Sequence, residues 1–209
     1  MSDAHEKILS LFLTHNCLLF SRIRDLCGIQ SNLLSYRLKS LQKKGYLEKT
    51  PKGYKLTVLG ERQLPVLSRT EVYYPLVIVL LQIKRQNKWL FVRRTKRPYK
   101  GYLSLVGGKL LFGERIEECA LRLLKEKTGG TGVVTKICSV AHERILSGTQ
   151  VKHDFLLVMV NVAMVNTPVD VIWSTRKGRI IPSDKWLITH KVPFAEFTIN
   201  EKTGTLYME

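Results

Sequence analysis

Residues 107–130 read GGKLLFGERIEECALRLLKEKTGG. A glycine pair opens the stretch, acidic residues follow at Glu114, Glu117 and Glu118, and a helix-like run closes on glycine. Glycine just past a helix end takes the left-handed conformation that stops it. Acids in the first turn suit the helix dipole, which is the simplest role for Glu117 and Glu118. A loop of this kind, between a strand and a helix, is suited to holding a metal ion against a phosphate, provided that enough carboxylates face it. Residues 122–129 read RLLKEKTG, with one glutamate among leucines and lysines. The same segment therefore raises two questions: what it folds into, and whether it still performs chemistry.

The pattern around it is β-rich. PLVIVLLQI and KWLFVRR read as a strand pair, followed by the basic loop TKRPYKG and then YLSLVGGKL. Beyond the helix, VTKICSVAHERIL, HDFLLVMVNVAM and a tail near KWLITHK read as further strands. Strands, one inserted helix and more strands make an α+β domain, a mixed sheet with helices, over residues 76–209. Residues 69–75 read as a linker within GERQLPVLSRTEVYYP, where Pro65 and Pro75 limit helix propagation.

Residues 1–68 are patterned differently, as three helices and a hairpin. The first helix is expected over about Ala4–Thr14, with Ile8, Leu9, Leu11 and Phe12 inward. Ser21 is expected to cap a short helix with Ile23 and Leu26 inward, and Ser31 a longer one in which Leu34, Leu38 and Leu41 form a buried stripe. Gly28 and Gly45 supply turns, and YLEK and GYKLT two short strands. Asn32, Ser35, Tyr36 and Lys39 then face outward, flanked by Arg37, Lys43 and Lys44, with Lys49, Lys52 and Lys55 near the hairpin. A helix fits the major groove and its side chains reach base edges, whereas lysines on phosphates give affinity and register. The plainer alternative is a protein-contact module whose lysines are solvated.

Thirty-four Lys and Arg against 17 Asp and Glu give a net charge of +17, which favours anionic partners such as nucleic acid or nucleotides. The four cysteines, Cys17, Cys27, Cys119 and Cys138, show no C-x-x-C spacing and read as reduced thiols rather than a zinc site or disulfides. The longest apolar runs are about half the roughly 20 residues that a membrane helix needs. With the polar start MSDAHEK, this reads as a cytoplasmic protein with no membrane partner.

Two family resemblances follow. The stretch LSYRLKSLQKKGYLEKTPKGYKLTVLG, with its Thr57–x–x–Gly60 step, resembles the winged helix-turn-helix domains of transcription regulators. Residues 101–130 resemble the Nudix signature, and the likeness extends over about 73–190. The spacing of Gly108, Glu114, Arg122, Glu126 and Gly129 is kept. The resemblance implies hydrolysis of nucleoside diphosphates linked to another moiety, with helix glutamates holding magnesium or manganese. At i, i+3 and i+4, positions 123, 126 and 127 would converge on one ion. Two of those three positions are Leu123 and Lys127 here, and Lys127 puts an ammonium where a cation should sit. Glu126 and Glu114 are the residual catalytic and metal-binding candidates, although Arg122 and Glu126 can simply pair. Glu143 and Asp154 are nearby acids with no spacing to recommend them. Leu105–Val106 before the glycine pair also departs from the commoner Pro-Gly-Gly.

Joined, the halves read as a DNA-binding transcriptional regulator whose Nudix-like domain senses a nucleotide-derived ligand and has lost metal-dependent hydrolysis. Lys127, Arg122, Gly107, Gly108, Arg93 and Arg94 are the candidate ligand-binding residues, with Lys96, Arg97 and Lys100 adding to the field. Asn32, Ser35, Tyr36, Arg37, Lys39, Lys43 and Lys52 are the candidate contacts to double-stranded DNA. A homodimer would suit a palindromic DNA site. The competing readings are a divergent hydrolase needing Mg2+ or Mn2+, with the N-terminal domain for targeting, and an RNA-binding basic surface.

Overall fold

The computed structural model describes residues 3–64, 73–96, 99–166, 170–190 and 192–208. The chain forms two compact units, Met1–Tyr73 and Tyr74–Glu209. Most of the expected linker, Pro65 included, lies outside the described residues.

The first unit runs α1 (Asp3–Ser10), a 3-10 turn (Leu11–Leu13), α2 (Phe20–Cys27), α3 (Ser31–Lys43), β1 (Leu47–Thr50), β2 (Gly53–Leu56) and α4 (Val58–Glu61). The single helix expected over Ala4–Thr14 thus tightens at Ser10. Leu34, Leu38 and Leu41 are buried against Ile8, Leu9 and Ile23, as the leucine stripe requires. Leu26 is 39% exposed; the inward position one turn after Ile23 goes to Cys27, at i+4. Neither expected serine cap forms. The N-cap positions are Leu19 and Gln30, both extended and without a side-chain cap bond. Leu18 explains the first case: it exchanges two backbone hydrogen bonds with Tyr54, which holds the chain extended up to the helix start.

The hairpin is locked by small residues. A Cβ on Gly53 would lie 2.5 Å from the Leu18 carbonyl oxygen. Thr57 accepts a hydrogen bond from the Gly60 N–H at 3.1 Å and donates to the Gly45 carbonyl. Gly60 lies against the Tyr46 carbonyl, with no room for a side chain. The Thr57–x–x–Gly60 step is thus a helix cap that also holds the turn after α3.

The second unit contains β3 (Leu76–Gln82), β4 (Lys84–Arg85), β5 (Lys88–Arg93), β6 (Leu103–Lys109), α5 (Ile116–Thr128), β7 (Gly132–Ser147), β8 (Gln150–Met164), β9 (Ile172–Ser174), α6 (Pro182–Leu187), β10 (Phe194–Asn200) and β11 (Leu206–Met208). Its mixed sheet has the order β11-β10-β7-β8-β3-β6-β5-β4, with β9 on β5. β3 runs parallel to β8, and β10 to β7; the other pairs are antiparallel.

Two sequence expectations fail here. The runs PLVIVLLQI and KWLFVRR do not pair along their length. β6 lies between them, and they meet only at the β4–β5 turn, where Leu90 N–H donates to the Ile83 carbonyl. The tail KWLITHK is not a strand: Lys185–Leu187 complete α6, and His190 N–H still donates to the Trp186 carbonyl. Pro182 starts that helix, where its missing N–H has no intrahelical partner to lose.

β3 reads as one unbroken apolar run because both of its faces are covered. Val79 and Leu81 pack with Ala120, Leu123 and Leu124 of α5. Leu80, between them, points the other way, into a cluster with Leu105, Leu157 and Phe197.

Candidate functional site

The glycine pair lies on β6, paired to β3 through Gly107↔Leu80 and Gly108↔Val79. A Cβ on Gly108 would lie 2.5 Å from a Leu123 methyl, and one on Gly107 2.6 Å from a Leu80 methyl and 2.9 Å from the Val79 carbonyl oxygen. Gly108 therefore lets α5 lie directly on the strand, and Gly107 lets β3 lie close beside it. Leu123 is 3% exposed and belongs to the apolar cluster under the helix. The Lys127 ammonium donates to the Gly107 carbonyl. Its pKa is lowered, first by burial and then by Arg94 nearby. Both residues at the departed positions lean on the glycine pair, one by packing and one by charge.

The acids of this segment have partners of their own. Arg122 grips Glu114 with two hydrogen bonds, Nε to Oε1 at 2.6 Å and Nη2 to Oε2 at 2.9 Å. Glu114 also accepts from the Leu111 N–H at 3.0 Å, which folds the loop back onto the helix. The Arg122 guanidinium is the main reason that the Glu114 carboxyl is held down to about 2. Glu126 is half exposed and reaches Arg122 at 3.3 Å. Glu118 caps α5 by accepting from the Arg115 N–H at 2.9 Å. Among the described residues, no three His, Cys, Asp or Glu side chains gather as a metal site. The residues present do not fit a divalent ion: where the family resemblance expects carboxylates, Leu123 is core and Lys127 an ammonium, and Glu114 is engaged by Arg122 and the Leu111 N–H.

Beside the glycine pair a cavity of about 830 Å³ opens, walled by β3, β6 and β8 and reached by Lys127 of α5. Its size is that of a small-molecule site. Of the expected ligand-binding residues, Arg93, Arg94, Gly107, Gly108 and Lys127 line it, with Lys96. Arg122, Glu114, Glu126 and Lys100 do not, and Arg97 lies outside the described residues. Arg93 donates to the Gly101 carbonyl at 3.1 Å. Ile78, Leu80, Leu157 and Phe155 form an apolar wall, and His153 stacks on Phe155 with ring centroids 5.9 Å apart.

Three lining residues are inconspicuous in the sequence. Glu143 is 5% exposed and its Oε1 has no hydrogen-bond partner among the described residues. Burial pushes its carboxyl up to about 7, against the opposing effects of the Ser183 hydroxyl and Arg94. Asp184, 3% exposed, accepts from the Leu105 N–H at 2.7 Å; burial, with Glu143 nearby, also raises it to about 7. The Tyr99 hydroxyl is buried without a partner among the described residues, and burial raises its pKa well above the ordinary value. Asp154, by contrast, is accounted for: it bonds the His142 Nε2 at 2.7 Å.

In the first unit, Asn32, Tyr36, Lys39, Lys43 and Lys52 are exposed, while Ser35 and Arg37 are half buried. The Arg37 guanidinium lies 5.7 Å from the Tyr36 ring centre. Lys55 pairs with Glu48 at 2.9 Å across the hairpin, so its charge is partly matched. No helix among the described residues is long and apolar enough to cross a membrane.

The β6 glycines, the Glu114–Arg122 clamp and most of the mixed sheet lie within a region that matches a known family. The NUDIX domain family matches residues 73–183, and the chain belongs to that family. Among curated proteins it is similar to an ADP-ribose pyrophosphatase of Methanocaldococcus jannaschii, 35% identical over 79 residues. That match covers 37% of this chain and 45% of the relative, so the chain spans less than half of the relative's length. Among solved structures, a MutT protein from Bacillus halodurans aligns with a TM-score of 0.52 at 17% identity, over 63% of this chain and 94% of that one. A MutT NUDIX hydrolase from Burkholderia pseudomallei aligns at 0.51 and 17%, over 57% of this chain and 99% of that one. At such identity these two show the fold alone.

Proposed function

We propose that this chain is a DNA-binding transcriptional regulator whose Nudix domain binds a nucleotide-derived ligand without cleaving it. The observation that carries this reading is the pair Leu123 and Lys127. A metal-dependent hydrolase needs carboxylates on that helix face. Here Leu123 is core and Lys127 supplies a fixed positive charge beside the Gly107 carbonyl. An ammonium at this place attracts a phosphate oxygen without a bridging ion, and Arg93, Arg94 and Lys96 line the same cavity. The name of the curated relative makes ADP-ribose the first ligand to try.

The first unit is read as a winged helix-turn-helix. Three helices followed by a hairpin, with Asn32, Tyr36 and Lys39 exposed along α3, support a recognition helix flanked by basic residues. Ligand binding would shift DNA affinity only if the ligand favoured one state of the chain over another.

Titration of ADP-ribose into the wild type and into Lys127→Ala tests the ligand half. The variant is expected to bind about tenfold more weakly, the size of one charge-assisted hydrogen bond. Equal affinities would remove Lys127 from the site and with it the main support for a metal-free binding role.

A further inference from the structure

We infer that the end of the cavity containing Glu143 and Tyr99 is a subsite for the hydrogen-bonding edge of an amino-bearing nucleobase, with Glu143 the residue that sets base specificity. This rests on the ligand-binding reading above and adds the part of the ligand that the basic rim does not explain.

A buried polar atom without a hydrogen bond is costly, so an unpartnered one lining a cavity points to a group that arrives from outside. Two such atoms, Glu143 Oε1 and the Tyr99 hydroxyl, line the same cavity. Glu143 stands on β7 opposite Phe155 of β8 and Phe197 of β10, on a strand face that also buries Ser139, Ala141 and Ile145. Within the fold the carboxyl meets the Ser183 hydroxyl, which still leaves Oε1 without a partner among the described residues. The neighbouring groups are already committed. Asp184 holds the Leu105 N–H, and Ser183 hydrogen-bonds Glu143.

The rest of the cavity narrows the class of ligand. Arg93, Arg94, Lys96 and Lys127 suit a phosphate. Phe155, Leu157 and Leu80 offer an apolar wall on which a flat ring can lie. A ligand that carries phosphate at one end, a flat apolar face and N–H groups on its edge is a nucleotide. A carboxyl group offers an acceptor to an exocyclic amino group and, when protonated, a donor to the adjacent ring nitrogen. That pattern matches the adenine edge, with the Tyr99 hydroxyl as a further donor or acceptor.

The test measures affinities of ADP, IDP and inorganic pyrophosphate for the full chain and for Glu143→Leu, Glu143→Gln and Tyr99→Phe. ADP is expected to bind at least tenfold tighter than pyrophosphate and several-fold tighter than IDP. Glu143→Leu is expected to lose the preference for ADP over IDP and to narrow that over pyrophosphate, while holding pyrophosphate as before. Glu143→Gln, which keeps one donor and one acceptor, should retain the preference for ADP, and Tyr99→Phe should weaken ADP but not pyrophosphate. ADP binding unchanged in Glu143→Leu overturns the subsite. Pyrophosphate as tight as ADP in the wild type also overturns it, while leaving phosphate binding at Lys127 intact. A chain that binds neither compound overturns the ligand-binding reading and the subsite together.

Discussion

The two ends of the site, the glycine pair under α5 and the Glu143 side of the cavity, treat charge in opposite ways. Around α5, the acids have found partners: Glu114 is clamped by Arg122, Glu126 leans on the same guanidinium, and Glu118 caps the helix. Lys127 has the Gly107 carbonyl. At the other end, Glu143 and Tyr99 keep buried polar atoms with no partner among the described residues, and two carboxyl groups are held near neutrality by burial. Matched charge in such a segment is architecture. Unmatched buried polarity that also lines a cavity points to a group arriving from outside. By that criterion, we read Glu114, Glu118, Glu126 and Arg122 as serving the fold, with Lys127 on the cavity rim, and the Glu143 end as the better candidate for base recognition.

Leu123→Glu should break this contrast most severely. It places a carboxylate in the apolar cluster against Gly108, and is expected to destabilise the Nudix domain by about 3 kcal/mol or more, read as a fall in its melting temperature. A variant that stayed stable and gained stability from Mn2+ would show that a metal seat survives beneath the leucine.

Glu143→Gln should act in the opposite direction. Folded Glu143 titrates near 7 against an ordinary value of 4.5, so between those pH values the unfolded chain has already lost a proton that the folded chain keeps. Stability therefore falls as pH rises from 4.5 to 7 and is flat above. The glutamine variant lacks this loss and should be more stable above pH 7 by on the order of 3 kcal/mol, with the gain vanishing near pH 4.5. Urea unfolding at pH 5 and pH 8 measures it, and equal differences at the two pH values would mean that the carboxyl is not buried as described.

The smallest effect is expected from Arg122→Ala. Glu114, held at about 2, contributes stability above its ordinary value of 4.5, and that contribution is lost as pH falls through 2. The variant should melt a few degrees lower at pH 7, and the gap should close between pH 4.5 and 2. A gap independent of pH would assign Arg122 a packing role only.

Much of the helix segment is legible in the sequence. The glycine pair is plain there as a pattern, and Glu114, Arg122 and the closing Gly129 answer local pairing or backbone needs and so keep a fixed spacing. Leu123 and Lys127 can be read as departures, but their contacts with Gly108 and Gly107 cannot, because those depend on how α5 crosses β6. Glu143 has no motif spacing to recommend it, although alternation supplies a signal: Ser139, Ala141, Glu143 and Ile145 share the buried face of β7. Asp184 is hidden because KWLITHK, so rich in apolar residues, reads as a strand. Pro182 and the polar Ser183–Asp184 before it mark a helix start instead. The order β8-β3-β6-β5 is out of reach, since sequential strands suggest pairing and only the three-dimensional sheet shows β6 between β3 and β5.

The most direct test of binding without cleavage is to incubate the pure chain with ADP-ribose and Mg2+, and separately Mn2+, measure binding by calorimetry, and then recover the ligand and resolve it by chromatography. Saturable binding with the ADP-ribose recovered whole is the predicted result. Release of AMP above the level seen with Glu126→Gln would contradict it, and would mean that the helix still organises a metal despite Leu123 and Lys127.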